Sequence, residues 1–341
     1  MDDGKMKGYS VRPFRPAWWL RGAHAQTIVG RYLRNRQVLA LHRERVDTPD
    51  GDFLDLDFAR VDGVGWDTVR PGDPVAVVLH GLEGSTRSGY VLQTLRELAA
   101  RGIRGVAVNF RTCGGEPNRI ARFYHSGETE DLAFVVGLLR ERWPDSPLGA
   151  VGYSLGGNVL LKYLGERGAE SPVRAAAAVS VPFDLGAGAT SMERGMGRIY
   201  TWSFLRSLRR KYAAKRGIIG DAVDGARVLS ARTFREFDDA ATAPLHGFRD
   251  AEDYYTRSSS AGFVDRIRVP TLLLHSVDDP FLPNGAIPHE AIRGNPFLAE
   301  GFTRGGGHVG FVHGKPWAPE FWAEGEAARF LAEHLGGGAG Q

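Results

Sequence analysis

The chain has 341 residues, 43% of them apolar and 24% charged, which fits one large domain with a sizeable core better than several small ones. Its 43 basic and 40 acidic residues are mixed along the chain, with a formal net charge of +3 and a pI near 9.0, and this even mixture argues against nucleic-acid binding. The single cysteine, Cys113, rules out an intrachain disulfide, and no run approaches the ~18 uninterrupted apolar residues of a membrane span.

The first ten residues are charged and polar, without the apolar core of a signal peptide, so a cytoplasmic location is expected. Residues 1–40 read as an N-terminal arm. From 46 to 58, polar and apolar residues alternate around Pro49-Asp50-Gly51, the pattern of an antiparallel hairpin at a sheet edge. Short runs that are apolar on both faces follow at 75–79, 106–110, 149–153, 175–181 and 271–275. Helical periodicity lies between them at 90–100, 129–142 and 158–167, with Gly102 and Gly168 where helices would end. This alternation predicts an α/β fold with a mostly parallel, doubly wound sheet, its core built from 41–183 and 266–335. From 184 to 265 the rhythm breaks, and aromatic and basic residues mix at helical spacing, predicting a helical cap inserted between two strands. The glycine-rich end, 336–341, predicts a disordered, frayed tail.

Gly152-Tyr153-Ser154-Leu155-Gly156 matches Gly-x-Ser-x-Gly, follows an apolar run and precedes a helical one. A serine on a sharp strand-to-helix turn needs small neighbours, and the turn aims the first helical N–H groups at a reacting carbonyl. Ser154 is therefore the candidate nucleophile of an α/β-hydrolase fold. The loop His80-Gly81-Leu82-Glu83-Gly84-Ser85 follows the run 75–79, where this fold supplies a second oxyanion donor. The backbone amides of Leu82 and Leu155 are the candidates, and His80 reads as a shaper of the loop. After the run 271–275 come Asp278 and Asp279; Asp279, followed by Pro280-Phe281-Leu282-Pro283, is the candidate acid and Asp278 the alternative. An edge-strand-like stretch ending near Thr303 leads into Gly305-Gly306-Gly307-His308, where His308 is the candidate base and His313 the fallback. A neutral imidazole beside Ser154 would take its proton, protonate the leaving alkoxide, and repeat the cycle with water. No metal or cofactor motif is present, and none is needed.

These motifs, taken together, resemble one family within the fold, the YheT-like α/β hydrolases. The resemblance covers about residues 12–330. It rests on Phe14-Arg15-Pro16, Trp19-Leu20-Arg21-Gly22-Ala23-His24-Ala25-Gln26-Thr27-Ile28 and Asp50-Gly51-Asp52-Phe53-Leu54-Asp55-Leu56-Asp57. It continues through His80 to Ser85, Asn109-Phe110-Arg111, Tyr124-His125-Ser126-Gly127-Glu128-Thr129, Ser154, Asp279-Pro280-Phe281 and Gly306-Gly307-His308-Val309-Gly310-Phe311. It implies a serine carboxylester hydrolase with Ser154, Asp279 and His308 as its triad. It also implies kinship with animal enzymes that act on acylglycerols and phospholipids behind an N-terminal anchor, and with yeast enzymes that form ethyl esters; no anchor is read here. The chain departs from the family at Thr112, where a glycine is common, which puts the shape of that loop in question.

Several other features have a plain reading and a sharper one. Cys113 reads as inert and the pair His125-Ser126 as support for a neighbouring loop. The basic run Arg206, Arg209, Arg210, Lys211, Lys215 and Arg216, with Leu205, Leu208 and Tyr212 among it, reads as a solvated cap helix. Its sharper reading is a peripheral membrane contact that delivers lipid esters. A small-molecule ester is the expected partner. Acyl transfer to an alcohol is the competing reaction, and a non-catalytic ligand-binding role is the third alternative.

Overall fold

The computed structural model describes residues 9–34 and 39–336, so the first eight residues and the tail beyond Gly336 lie outside the described residues. After helix α1 (Ala23–Arg34), strands β1 (Ala40–Asp47) and β2 (Phe53–Val61) form the antiparallel hairpin around Pro49-Asp50-Gly51, with a short β3 (Val64–Gly65) beyond it. Then β4 (Val75–Leu79), α2 (Gly89–Ala99), β5 (Arg104–Asn109), α3 (Glu130–Arg142), β6 (Leu148–Tyr153), α4 (Leu155–Arg167) and β7 (Val173–Val179) alternate. The chain returns through β8 (Thr271–Ser276) and α11 (His289–Gly294) to β9 (Leu298–Thr303), a small hairpin of β10 (Val312–Lys315) and β11 (Ala318–Phe321), and α12 (Trp322–Leu335).

The main sheet has the order β1-β2-β5-β4-β6-β7-β8-β9, parallel from β5 onward, with the expected hairpin at one edge and β9 at the other. Alternation sorts its side chains into two cores. Val75, Val77 and Leu79 face one side with α3 and α4, while Ala76 and Val78 face the other with α2 and α12. Both faces are covered, which is why β4 and β6 are buried end to end and read as unbroken apolar runs. Strand β7 starts and stops two residues earlier than the apolar run suggested, because Ser180 adopts φ 53 and ends it.

Between β7 and β8 every named element is helical: α5 (Leu185–Ser191), α6 (Gly197–Ile219), a 3₁₀ turn at Gly220–Ala222, α7 (Gly225–Ser230), α8 (Phe234–Phe237), a π turn at Asp238–Thr242, α9 (Ala243–Leu245), α10 (Ala251–Ser258) and a 3₁₀ stretch at Ser260–Arg266. The starts are written locally: the side chains of Asp184, Asp224, Thr233 and Asp250 each accept a bond from a first-turn N–H. Leu205, Tyr212, Ile219, Val228 and Ala240 give this segment a small core of its own. Among the described residues, no helix is long and apolar enough to cross a membrane.

Candidate active site

Strand β6 delivers Ser154 to the sheet's C-terminal edge, and α4 begins at the next residue, three residues before the helical periodicity becomes visible in the sequence. Ser154 has φ 52 and ψ −118, a strained backbone for a non-glycine residue. The flanking glycines are required by close approach. A Cβ on Gly152 would lie 2.5 Å from Gly156 O, and one on Gly156 would lie 2.5 Å from His80 O.

His308 Nε2 lies 2.9 Å from Ser154 Oγ, and its Nδ1 lies 2.7 Å from Asp279 Oδ2. The structure thus joins Ser154, His308 and Asp279, candidates drawn from three distant chain segments. Asp279 is buried, accepts a further bond from Phe281 N–H at 2.9 Å, and the Phe281 ring packs 4.3 Å from the imidazole. Asp278 turns elsewhere: its Oδ1 accepts from Ser276 Oγ at 2.5 Å and from Gly307 N–H at 2.8 Å, so it holds the histidine loop. His313 sits in β10, 3.6 Å from Glu320.

The His308 loop rests on the N-terminal arm. His308 N–H donates to Thr27 Oγ1, and Val309 N–H donates to Ser180 Oγ. A Cβ on Gly307 would lie 2.3 Å from Ala23 O, and one on Gly310 would lie 2.8 Å from the backbone of Gln26. Helix α1 therefore presses against two of the loop's glycines, and Gly310 also abuts Gly306 O within the loop. Thr27 and Ser180 were not singled out in the sequence; only the stretch Gln26-Thr27-Ile28 hinted at the first.

The loop after β4 lies against Ser154, since a Cβ on Gly81 would lie 3.1 Å from Ser154 Cβ. Gly81 N–H donates to Tyr90 Oη and Glu83 N–H to Tyr124 Oη, both at 2.8 Å. The Leu82 amide between them has no acceptor among the described residues. Leu155 opens α4, where first-turn N–H groups have no intrahelical partner. His80 is fully buried, with burial lowering its pKa to about 3, so it is a neutral ring. Its Nδ1–H donates to Gly81 O at 2.7 Å and its Nε2 accepts from Phe110 N–H at 3.2 Å. It shapes the loop, as its early place in the chain suggested.

A cavity of about 1050 Å³ opens over Ser154 and His308. Tyr200, Phe204, Phe234, Phe237, Tyr254 and Tyr255 of the helical segment line it. Other aromatics of that region do not: Phe183 joins the core and Trp202 is 59% exposed. The basic run of α6 is not one solvated face. Lys215 is buried and donates to Arg122 O at 2.7 Å, burial lowering its pKa to about 8, and Lys211 turns toward Glu83 and Cys113. A lipid contact by the run as a whole would therefore lose both lysines. Burial raises the Cys113 thiol to about 11, which suits an inert side chain. Thr112 adopts φ 67, in the left-handed region that glycine favours.

His125, Glu128 and His246 bring one potential ligand atom each within 4.8 Å of one another. The Arg122 guanidinium already sits 2.6 Å from Glu128. Burial first, then Arg122, Arg111 and Lys215, holds His246 neutral down to about pH 3. These cations oppose a metal ion at that trio. Ser126 braces neighbouring segments, its N–H donating to Tyr254 Oη and its carbonyl accepting from Asn158 Nδ2.

Residues 74–314 match the family model of the alpha/beta hydrolase fold. YheT of Escherichia coli (strain K12), a proposed esterase, is 39% identical over 335 residues, covering 96% of this chain and 95% of that one. The chain belongs to the YheT-like α/β hydrolases. Phospholipase ABHD3 of Mus musculus is 31% identical, covering 88% of this chain and 74% of its own. The monoacylglycerol lipase of Saccharomyces cerevisiae is 32% identical, covering 72% and 57%. The fold also resembles that of the Pyrococcus furiosus esterase Pf2001, with a TM-score of 0.58 at 15% identity, covering 96% of this chain and all of that one. Membership in this YheT-like family makes the protein a carboxylic ester hydrolase.

Proposed function

We propose that the protein hydrolyses acyl esters of lipid-like or medium-chain type through an acyl-enzyme on Ser154. The observation that carries this reading is the hydrogen-bonded chain from Ser154 through His308 to Asp279 at the floor of a large, aromatic-lined cavity. In this reading His308 Nε2 accepts the Ser154 proton as the hydroxyl attacks the ester carbonyl. Asp279 accepts from Nδ1–H, fixing the tautomer and stabilising the imidazolium. The charge developing on the carbonyl oxygen meets the N–H groups of Leu82 and Leu155, helped by the positive end of α4. The imidazolium then protonates the leaving alkoxide, and water, activated the same way, releases the acid.

The helical segment acts here as a lid whose aromatics receive the acyl chain. The test is Ser154→Ala. We expect loss of p-nitrophenyl ester hydrolysis and of fluorophosphonate labelling, with an unchanged melting temperature. Equal labelling of both proteins would remove Ser154 from the mechanism.

A further inference from the structure

Glu83 follows directly on the Leu82 amide and holds φ 54, a conformation that a non-glycine residue keeps only when its surroundings impose it. Two groups impose it. Tyr124 accepts from Glu83 N–H at 2.8 Å and donates its own O–H to Glu83 Oε1 at 2.7 Å, so one buried phenol grips both backbone and carboxylate. The second group comes from outside the sheet domain. Lys211 of α6 reaches in to donate to the same Oε1 at 2.8 Å and to Cys113 Sγ at 3.0 Å, with its ammonium 5.2 Å over the Tyr124 ring. The Glu83 side chain is only 6% exposed, and its Oε2 is buried without a hydrogen-bond partner. Lys211 is its one counter-charge among the ion pairs of the described residues. Along the same helix, Phe204, Ser207 and Leu208 line the cavity.

We propose that Lys211 is a positioning residue for the reaction: by pairing with Glu83 it fixes the loop that carries the Leu82 amide, so that the oxyanion site is complete only while α6 is docked. The inference rests on the reading of Leu82 as an oxyanion donor. Without Lys211, a buried carboxylate loses its counter-charge, and its cheapest relief is to turn toward the cavity and let the strained backbone relax. The Leu82 amide moves with it. An oxyanion donor acts on the transition state and not on the bound ester, so the loss falls on kcat and leaves KM nearly unchanged. The same latch gives α6 a role in turnover: lifting the helix to admit a substrate would loosen the donor, and closing it would restore the donor.

The experiment compares Lys211→Met, Lys211→Arg, Glu83→Gln and the Lys211→Met/Glu83→Gln pair. Each is assayed for kcat and KM on a p-nitrophenyl ester and for inhibition by an alkyl boronic acid, which forms a tetrahedral adduct with the serine. Deleting one oxyanion donor outright costs about 10²–10³-fold, so displacing one through Lys211→Met is expected to lower kcat by roughly tenfold or more. KM should stay within about twofold, and boronate affinity should fall with kcat. Lys211→Arg should recover most of the rate, and the double variant should be no slower than the slower single one. Wild-type kcat in Lys211→Met, a loss confined to KM, or losses that multiply in the double variant would each overturn the latch. If Lys211→Met does not fold, Glu83→Ala, which removes the oxygen that Tyr124 and Lys211 both hold, carries the same expectation. Ser154→Ala keeps the two readings apart. An active Ser154→Ala defeats the functional assignment, whereas an inactive one beside a fully active Lys211→Met defeats only the latch.

Discussion

Asp278 and Asp279 leave β8 side by side, and the turn there sends them to different partners. Asp279 meets His308 Nδ1, and Asp278 meets Ser276 and Gly307. Asp279→Asn should therefore cost about 10³–10⁴-fold in kcat/KM, because an amide favours the wrong imidazole tautomer. Asp278→Asn should cost far less, through a loosened loop alone. Measuring kcat/KM for both decides it, and a larger loss in Asp278→Asn would exchange their roles. The sequence favoured Asp279 through the turn that follows it but kept Asp278 as the alternative, because adjacent carboxylates after a strand are distinguished by side-chain direction, which depends on where the strand ends. Ser154 was legible because Gly152 and Gly156 record a steric demand in residue type. Thr27 and Ser180 were not, since a hydroxyl that accepts one N–H leaves no pattern.

At the scale of elements, the central strands β4 to β8 were readable because burial on both faces makes their runs apolar, and α2 to α4 between them by their periodicity, whereas α1, α11, α12 and the β10–β11 hairpin were not read from the sequence. The helical segment was readable as helical through its spacing, but not in how it sits. Lys211 and Lys215 look like surface charge until the rotation of α6 is known, and then they point inward. Two predictions belong to this segment. The first concerns Phe204 and Phe234, which line the cavity and pack 6.1 Å apart. Truncating either to alanine should shift the preferred ester chain length, at roughly 0.8 kcal/mol per methylene accommodated. A chain-length profile of kcat/KM that keeps its shape would mean that these rings only pack the lid. The second concerns Asp238, half-buried in the π turn at the cavity wall, where desolvation raises its pKa from 3.8 to about 6 although Thr242 and Tyr255 donate to it. The folded state holds this proton more tightly than the unfolded chain, so stability falls as pH rises from about 4 through 6. Asp238→Asn should remove that cost. Its melting temperature should exceed wild type at pH 7.5 and converge with it near pH 4. A constant difference at both pH values would show that ionisation of Asp238 is not the cause.

Across the whole molecule, the two ends of the chain meet behind the candidate site. Arg34 closes α1 and is 1% exposed; its Nε and Nη2 bond Glu324 of α12 at 2.5 and 3.1 Å, and Nη2 also reaches Gly310 O at 2.6 Å. One guanidinium thus ties the arm, the C-terminal helix and the histidine loop together. The close contacts of Gly307 and Gly310 with α1 show the same dependence in the backbone. This is a physical reason for the arm motif and the Gly-Gly-His-Val-Gly motif to occur together in one sequence, which local pattern reading could quote but not explain. Removing one member of a buried pair strands the other, at about 3–5 kcal/mol, whereas replacing both with apolar side chains is often nearly neutral. Arg34→Met should therefore lower the free energy of unfolding in urea by about that amount, and Arg34→Met/Glu324→Met should recover most of it. Activity should separate from stability in the double variant: the bond to Gly310 O is still missing, so kcat should remain below wild type after the fold is restored. Full recovery of both would reduce Arg34 to a packing role. Failure of the second substitution to recover stability would mean that the bond to the histidine loop, rather than the ion pair, holds the chain ends together.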